Sequence, residues 1–224
     1  MKLIRPYYEI LNPRDLKKAS KEIERAARTC YKSENKIGLG TDEELIKILL
    51  DKHHEAMIEF GPDITVKFVC DRGVSHELVR HRLCSFAQES TRYCNYSKDK
   101  FDNQITFIIP VWSKSNFTSK DAPGIYVVDV SMKPEYTWFY HMLASESAYR
   151  RLIAEGWQPQ EARSVLPNSL KTEIVVKTNI REWRHIFRLR CSKAAHPQMR
   201  ELMIPLLKDF QKKCPLLFND ITLD

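Results

Sequence analysis

The chain has 224 residues, of which 43% are hydrophobic and 29% charged, and its formal net charge is +7. This balance excludes an intrinsically disordered chain, and no apolar run approaches the roughly 20 residues that a membrane-spanning helix needs. The positive charge favours an anionic partner such as a nucleic acid, a phosphorylated metabolite or a dinucleotide, but it does not indicate which of them binds.

The cysteines and the N-terminus bear on where the protein works. The six cysteines show no CxxC pair and no regular spacing, which favours reduced thiols. The first residues, MKLIRPYYEILNP, lack the apolar core and the small-residue cleavage site of a signal peptide. We therefore expect a cytoplasmic protein.

The first third of the chain predicts two helices followed by a strand. An Asn-Pro pair at 12–13 favours a helix start, and apolar residues then recur at helical spacing through residue 30. Residues 41–44, Thr-Asp-Glu-Glu, form a capping-box pattern that predicts a second helix ending near Glu59. Alternating apolar residues at 64–70 indicate a strand.

The later elements complete a helix-rich chain. Ser75 is expected to cap a short helix that leads into Arg80. The remaining predictions are a strand at 104–109, an irregular insertion at 110–124, a helix at 134–155 ended by Gly156, a short helix at 161–166, a strand at 172–178, a helix at 179–190 capped by Asn179, and a helix at 197–212. We expect one α+β domain over residues 1–224, with a small, mostly antiparallel sheet.

The segment at 80–93, RHRLCSFAQESTRY, has an unusual composition. It holds three arginines, one histidine and two serines, and the guanidinium fork of arginine suits phosphate. So many cations close together favour a shared anion. The alternative is a solvated basic face, but the interleaved Leu83, Phe86 and Tyr93 would bury part of the segment.

This segment resembles the signature of flavin-dependent thymidylate synthases, in which Arg-His-Arg is followed by seven residues and then a serine, here Ser90. Other segments resemble the same family in the same order: Ala26-Ala27-Arg28 with Tyr31, His54 with Glu59, ARSVLP at 162–167, Asn179-Ile-Arg181, and Arg190. The resemblance spans about residues 26–200 and implies the fold of that family.

The resemblance also implies an activity and an assembly. The enzyme would convert dUMP to dTMP, with a one-carbon unit from methylenetetrahydrofolate, reducing equivalents from NADPH and FAD as cofactor, and would release tetrahydrofolate. It would be a homotetramer whose active sites are shared between subunits. Neither a nucleic acid nor a membrane is expected as a partner.

Site residues follow from the same resemblance. The implied catalytic residues are Arg190 and Ser90, the latter positioning the dUMP phosphate together with Arg92. The implied dUMP contacts are Glu77, Arg80, Gln88, Glu89, Ser90, Arg92, Arg163 and Arg190. The implied FAD contacts are Cys30, His54, Arg80, His81, Arg82, Gln88, Asn179, Arg181 and His185.

Arg190 also has a physical argument of its own. Helical spacing predicts one face with Trp183, Ile186, Phe187 and Arg190, and an opposite polar face with Arg181, Arg184, His185 and Arg188. An arginine on the apolar face should be paired rather than solvated. The resemblance places it at the pyrimidine edge, where a cation would stabilise negative charge and activate C5. The alternative is a structural salt bridge.

Several assignments have ordinary alternatives. Arg163 could be an exposed arginine, and Asn179 could serve only as a helix cap. His53 and His54 suggest a metal, but no third ligand stands at a convincing spacing, so we expect no metal. A cysteine nucleophile at Cys84, beside the arginines, stays a remote alternative.

The chain departs from the family pattern at four positions. Glu77 stands where glutamine is more frequent, and His185 where some members have asparagine. Cys30 and Ala56 replace small hydroxyl residues, which weakens two FAD contacts. Two other functions compete with the synthase: a basic nucleic-acid-binding module, for which no reader motif is present, and a relative that binds the nucleotide but has lost the chemistry.

Overall fold

The computed structural model describes residues 1–98, 103–114 and 133–223. They form two compact units. The first unit contains Met1–Tyr7, Val69–Leu78 and Gln88–Ile174, and the second contains Tyr8–Phe68, Val79–Ala87 and Val175–Asp224. None of the helices in the described ranges combines the length and the apolarity that crossing a membrane requires.

The described strands make up two sheets. They are β1 (Lys2–Ile4), β2 (Tyr7–Ile10), β3 (Ile64–Asp71), β4 (Ser85–Gln88), β5 (Thr106–Ile108) and β6 (Lys171–Thr178). β1 pairs in parallel with β5, with Lys2 opposite Thr106. The other four strands follow the order β2-β3-β6-β4, so β3 and β6 are central and the chain crosses between non-neighbouring strands.

Helices account for most of the remaining described residues. They are α1 (Ala19–Cys30), α2 (Thr41–Asp51), α3 (Arg72–Leu78), α4 (Pro134–Ala154), α5 (Pro159–Ala162), α6 (Ile180–Arg190), α7 (Pro197–Lys213) and α8 (Pro215–Phe218). Short 3₁₀ segments lie at Asp15–Lys18, Glu34–Lys36, Glu55–Phe60 and Arg163–Val165.

Helix α6 is anchored in the second unit by aromatic packing. Phe187 lies 5.1 Å, ring centre to ring centre, from Phe210 of α7, and Phe210 lies 5.1 Å from Phe218 of α8. Trp183 is fully buried and its indole Nε1 donates to the carbonyl of Ile64 at 3.0 Å. Such aromatic pairs contribute roughly 0.5–1.5 kcal/mol each beyond the burial of their area. They fix the helix that carries Arg181, Glu182 and Arg190.

A close backbone approach also fixes the start of α6. A Cβ added at Gly61 would lie 2.9 Å from Cγ1 of Ile180 and 3.3 Å from Cδ1 of Ile23. Only glycine leaves room for this approach without a shift of the neighbouring chains. The segment that follows the 3₁₀ turn Glu55–Phe60 therefore packs directly on the first residue of α6.

The first unit has its own apolar core, built around α4. Its buried residues are Tyr96, Ile105, Phe107, Met142, Tyr149, Ala162 and Leu170. The carboxylate of Glu146, on α4, accepts a hydrogen bond from the backbone N–H of Ile105 at 2.8 Å. Burial of Ala162 in this core places the next residue, Arg163, at the surface of the unit.

The predicted fold class is confirmed: the chain is a helix-rich α+β structure with a small, mostly antiparallel sheet. The predicted strands at 64–70, 104–109 and 172–178 correspond to β3, β5 and β6, and the helices at 134–155, 179–190 and 197–212 to α4, α6 and α7. The prediction of one domain over residues 1–224 stays a prediction. Of the expected insertion at 110–124, residues 115–124 lie outside the described residues.

Two predicted helix caps were wrong. Thr41 is the first residue of α2 rather than its cap, because its hydroxyl bonds back to Gly38, accepting from the backbone N–H at 2.9 Å and donating to the carbonyl at 3.1 Å. Ser75 lies inside α3, and Asp71 takes the capping role by accepting from the N–H of Val74 at 2.8 Å. A local sequence pattern indicates a residue that can cap a helix, but it does not show which neighbouring polar group forms the hydrogen bond instead.

The second predicted helix was also too long. It ends at Asp51, and the chain then passes through His53, whose φ of +54° is incompatible with a continuous α-helix. The residues that follow form the 3₁₀ turn Glu55–Phe60. This break places His54 in an exposed position between the two helical segments.

Candidate active site

The start of α6 is fixed by Asn179. Its side-chain Oδ1 accepts a hydrogen bond from the backbone N–H of Glu182 at 2.9 Å, which confirms the predicted cap. The preceding residue, Thr178 at the end of β6, donates its hydroxyl to the carbonyl of Leu83 at 2.8 Å. Strand, cap and helix therefore hold the Arg80-His81-Arg82 segment beside the first turn of α6.

His81 and Arg190 contact each other directly. The Nε of Arg190 donates to the Nε2 of His81 at 3.0 Å, across 109 residues of sequence. His81 is 6% exposed, and burial, together with the positive charge of Arg190 and the nearby His185, lowers the pKa of His81 to about 4. The prediction that Arg190 is paired rather than solvated is confirmed, and its partner is a neutral imidazole.

Arg184 corrects the predicted division of α6 into two faces. It is fully buried rather than solvated, and its Nη2 donates to Asp220 at 2.6 Å. It also contacts the carbonyl of Leu217 and the carboxylate of Glu55. A guanidinium can be buried when carboxylates and carbonyls satisfy its donors, and these partners are far away in sequence.

A large cavity in the second unit collects several of the predicted FAD residues. Its volume is about 960 Å³, and Cys30, His54 and Arg181 line it. Ala56 lines it as well, so both positions at which the chain lacks the expected hydroxyl face this cavity. Arg28, Lys36 and Lys52 add positive charge to its wall.

A second cavity of the same unit, of about 360 Å³, lies at the start of α6. Asn179, Arg181, Glu182 and His185 line it. Arg181 lines both cavities, and its guanidinium pairs with the carboxylate of Glu59 at 2.5 Å. The structure thus brings Asn179, Arg181 and His185 together, while Arg80 and Arg82 are exposed.

In the first unit, hydrogen bonds hold Gln88 and Glu89. The amide of Gln88 donates to the hydroxyls of Ser75 at 2.9 Å and Thr172 at 3.2 Å. The carboxylate of Glu89 accepts from Lys171 at 2.9 Å and from the phenol of Tyr96 at 3.1 Å. Burial opposes the charge of Lys171, but hydrogen bonds to Glu173 and Glu89 outweigh it and raise the pKa of this lysine.

The loop that follows β4 carries Ser90 and Arg92. The hydroxyl of Ser90 accepts from the backbone N–H of Arg92 at 3.3 Å, and the exposed Arg92 guanidinium lies 5.3 Å from the ring centre of Tyr93. Arg163 donates to the hydroxyl of Thr91 at 3.1 Å. The structure therefore brings Arg163 to the Ser90 loop, as expected for residues that share a ligand.

Two residues near this loop were missed by the sequence analysis. Arg72 and His76 line a cavity of about 250 Å³ together with Thr91 and Arg163. They are four residues apart on α3, so they lie on one face of that helix. This spacing was a signal in the sequence, but the expected helix began too late to include Arg72. Glu77, the predicted dUMP contact next to His76, is half-buried.

The structure also bears on the cysteine and metal alternatives. Burial raises the pKa of Cys84 to about 11, which disfavours the thiolate that a nucleophile needs. Within the described residues, potential metal ligands come together at His81, Glu182 and His185, with ligand atoms within 4.8 Å of one another. The guanidinium of Arg190 beside His81 adds a positive charge that opposes a metal cation there.

Comparison with known proteins identifies the family. A family model described as "Thymidylate synthase complementing protein" matches residues 14–216. The flavin-dependent thymidylate synthase of Geobacter sulfurreducens is 32% identical over 206 residues, which cover 87% of this chain and 78% of that protein. The chain belongs to the flavin-dependent thymidylate synthase family. Its predicted site residues all lie inside the matched range.

Other relatives agree with this membership. The flavin-dependent thymidylate synthase of Mycobacterium sp. strain KMS is 30% identical over 219 residues, which cover 88% of this chain and 78% of that protein. Among solved structures, a UMP/dUMP methylase, PolB from Streptomyces cacaoi bound with 5-Br dUMP, matches with a TM-score of 0.75 at 22% identity. That match covers 98% of this chain and 96% of PolB, and it supports the family fold.

Proposed function

We propose that this protein is a flavin-dependent thymidylate synthase that converts dUMP to dTMP. Methylenetetrahydrofolate supplies the carbon, NADPH supplies the hydride that reduces it to a methyl group, and tetrahydrofolate and NADP⁺ are released. The single observation that carries this proposal is the family match over residues 14–216, which includes the arginine-rich segment at 80–93 and Arg190.

The large cavity of the second unit fits the cofactor. Its volume of about 960 Å³ lies at the upper end of the roughly 300–1,000 Å³ typical of organic ligands. Lys36 and Lys52 offer positive charge for a diphosphate, and Leu49 and Met57 offer apolar surface for planar rings. FAD, when bound, supplies the redox chemistry that links NADPH to the one-carbon unit.

Cys30, His54, Asn179, Arg181 and His185 would hold FAD through the two cavities they line. The proposed contacts of His81, Arg80, Arg82 and Gln88 rest on the family resemblance. The Oδ1 of Asn179 already accepts the N–H of Glu182, and its amide N–H₂ can donate to a ligand.

The Ser90 loop of the first unit would hold the dUMP phosphate. Arg92 is exposed and Arg163 contacts a neutral hydroxyl, so both keep a positive charge that an anion can share. Glu89 belongs to an ion pair with Lys171, and we assign it a role in holding the loop. We assign Ser90 a positioning role: its Oγ accepts from the backbone N–H of Arg92 and keeps its O–H to donate to the phosphate.

Arg190 would act on the pyrimidine. Its Nε donates to His81, and this contact orients the planar guanidinium. A cation at the N3/O2 edge stabilises negative charge in the ring and makes C5 a better nucleophile. We further propose a cytoplasmic homotetramer with shared active sites, and no nucleic-acid partner.

An absorbance and product assay tests the function. The purified protein should be yellow, and dTMP should form from dUMP when both methylenetetrahydrofolate and NADPH are supplied. Reactions that omit either co-substrate are the matched controls. A colourless protein that binds neither added FAD nor dUMP would refute the proposal, and tight oligonucleotide binding that persists at physiological salt would favour the nucleic-acid alternative.

A further inference from the structure

The contact between Arg190 and His81 shows which nitrogen of the imidazole carries the proton. A guanidinium N–H can only donate, so the Nε2 of His81, 3.0 Å from Nε of Arg190, must present a lone pair. A protonated histidine could not accept this bond. The neutral ring therefore carries its single proton on Nδ1.

The Nδ1 of His81 faces a carboxylate. Oε1 of Glu182 lies 3.6 Å from Nδ1, and the two side chains are 5% and 9% exposed. The pair is not a salt bridge at neutral pH, because burial keeps the imidazole neutral. The distance between Nδ1 and Oε1 exceeds that of a hydrogen bond by about 0.5 Å. When the imidazole is neutral, the two side chains therefore interact through the attraction between the N–H dipole and the carboxylate.

Glu182 is itself held in place by the helix start. Its backbone N–H is bound by the cap residue Asn179 at 2.9 Å, and it lies in the first turn of α6. A carboxylate is favoured there by the helix dipole, although burial raises the pKa of Glu182. The same helix carries Arg190 at its last residue, so His81 connects the two ends of α6.

We propose that Glu182 is a positioning residue, which holds the Nδ1–H tautomer of His81 and thereby orients the guanidinium of Arg190. The inference rests on the proposed function only for its effect on turnover. Glu182 acts through His81 and does not itself contact the reacting atoms. Carboxylates that orient a histidine in this way often change activity by about 10- to 100-fold when they are removed.

The tautomer of His81 can be measured independently of enzymatic turnover. The measurement is ¹⁵N NMR of protein labelled with ¹⁵N-histidine, in which the ring signals of His81 are those that disappear in His81→Gln. At neutral pH these signals should show a protonated Nδ1 and an unprotonated Nε2. Glu182→Ala should shift His81 towards the other tautomer, and Glu182→Gln, which keeps an acceptor oxygen, should preserve it. Nε2 protonation in the parent protein would overturn the proposal, whether or not the enzyme makes dTMP.

The kinetic consequence is tested in the FAD-loaded enzyme. Glu182→Ala should lower kcat about tenfold or more at saturating FAD, and Glu182→Gln should recover most of this loss. Glu22→Ala is the matched control, because Glu22 is an exposed carboxylate in the first turn of α1. Unchanged kcat in Glu182→Ala, or equal losses in the alanine and glutamine variants, would overturn the positioning role. An inactive parent protein would instead refute the proposed function.

Discussion

The arginines of α6 and those near the Ser90 loop have different partners. On α6, Arg184 and Arg188 contact the carboxylates of Glu55 and Asp220, and Arg181 contacts Glu59. Near the loop, Arg163 contacts the hydroxyl of Thr91 and Arg92 lies over the ring of Tyr93. The first group is neutralised by the protein, whereas the second keeps its charge for a ligand.

This difference shows that arginine density alone does not locate an anion site. The carboxylates that neutralise the α6 cluster come from the 3₁₀ turn Glu55–Phe60 and from Asp220 near the C-terminus. Arg190 is intermediate, since its Nε contacts a neutral imidazole. This contact fixes the direction of its guanidinium. The comparison predicts a loss of stability when the buried Arg184 is changed and a loss of function for changes at Arg190 and in the Ser90 loop.

The largest expected effect is on stability, in Arg184→Met. The change removes a fully buried guanidinium that donates to the Leu217 carbonyl and to the carboxylates of Asp220 and Glu55, so we expect the free energy of unfolding to fall by about 3 kcal/mol. Chemical denaturation monitored by circular dichroism measures it. Arg151→Ala, which removes an exposed pair with Glu155, is the control and should leave the free energy of unfolding nearly unchanged. A similar small loss in Arg184→Met would show that the cluster is not structural.

The next effect is on turnover, in Arg190→Ala. Because this arginine is proposed to stabilise charge on the pyrimidine, kcat should fall about 100-fold or more, while flavin absorbance is retained. The measurements are the initial rate of dTMP formation and the absorbance spectrum. Arg25→Ala, at an exposed position of α1, is the control. Normal turnover in Arg190→Ala would remove this residue from the catalytic set.

A smaller effect is expected for Ser90→Ala. The loss of one hydrogen bond to a phosphate should raise the KM for dUMP roughly tenfold and leave kcat nearly unchanged at saturating dUMP. Ser85→Ala, at an exposed position in the same segment, should behave like the parent protein. Complete inactivity at saturating dUMP would contradict the positioning role and give Ser90 a part in the chemistry.

Local sequence patterns were sufficient for the elements that place the site. The cap Asn179, the helix α6 and the strand β6 follow from turn chemistry and periodicity over a few neighbouring residues. The strands β1, β2 and β4 have only three or four residues each, too few for a periodic pattern, and they were not predicted. Local sequence patterns therefore predicted α6 and its neighbouring strand β6, but they did not predict the full sheet.

Partners across long sequence separations could not be predicted. Periodicity indicated that Arg190 needs a partner, but His81 is 109 residues away. The error at Arg184 has the same origin, because Glu55 is 129 residues and Asp220 is 36 residues distant. A helical pattern assigns an arginine to the polar face unless the carboxylates that bury it are known. Which arginines are neutralised is thus a property of the tertiary structure.

The smallest effect concerns pH and follows from the neutral partner of Arg190. The pKa of His81 is lowered to about 4 in the folded protein, below the value of about 6.5 in an unfolded chain. Between these two values the unfolded state binds more protons, so stability falls as the pH falls from about 6.5 to 4. We expect the folded protein to lose on the order of 1 kcal/mol of stability across this window. Urea unfolding of the parent and of His81→Gln across this window measures it: the variant should lose less stability, and equal slopes would show that His81 is not held neutral by the fold.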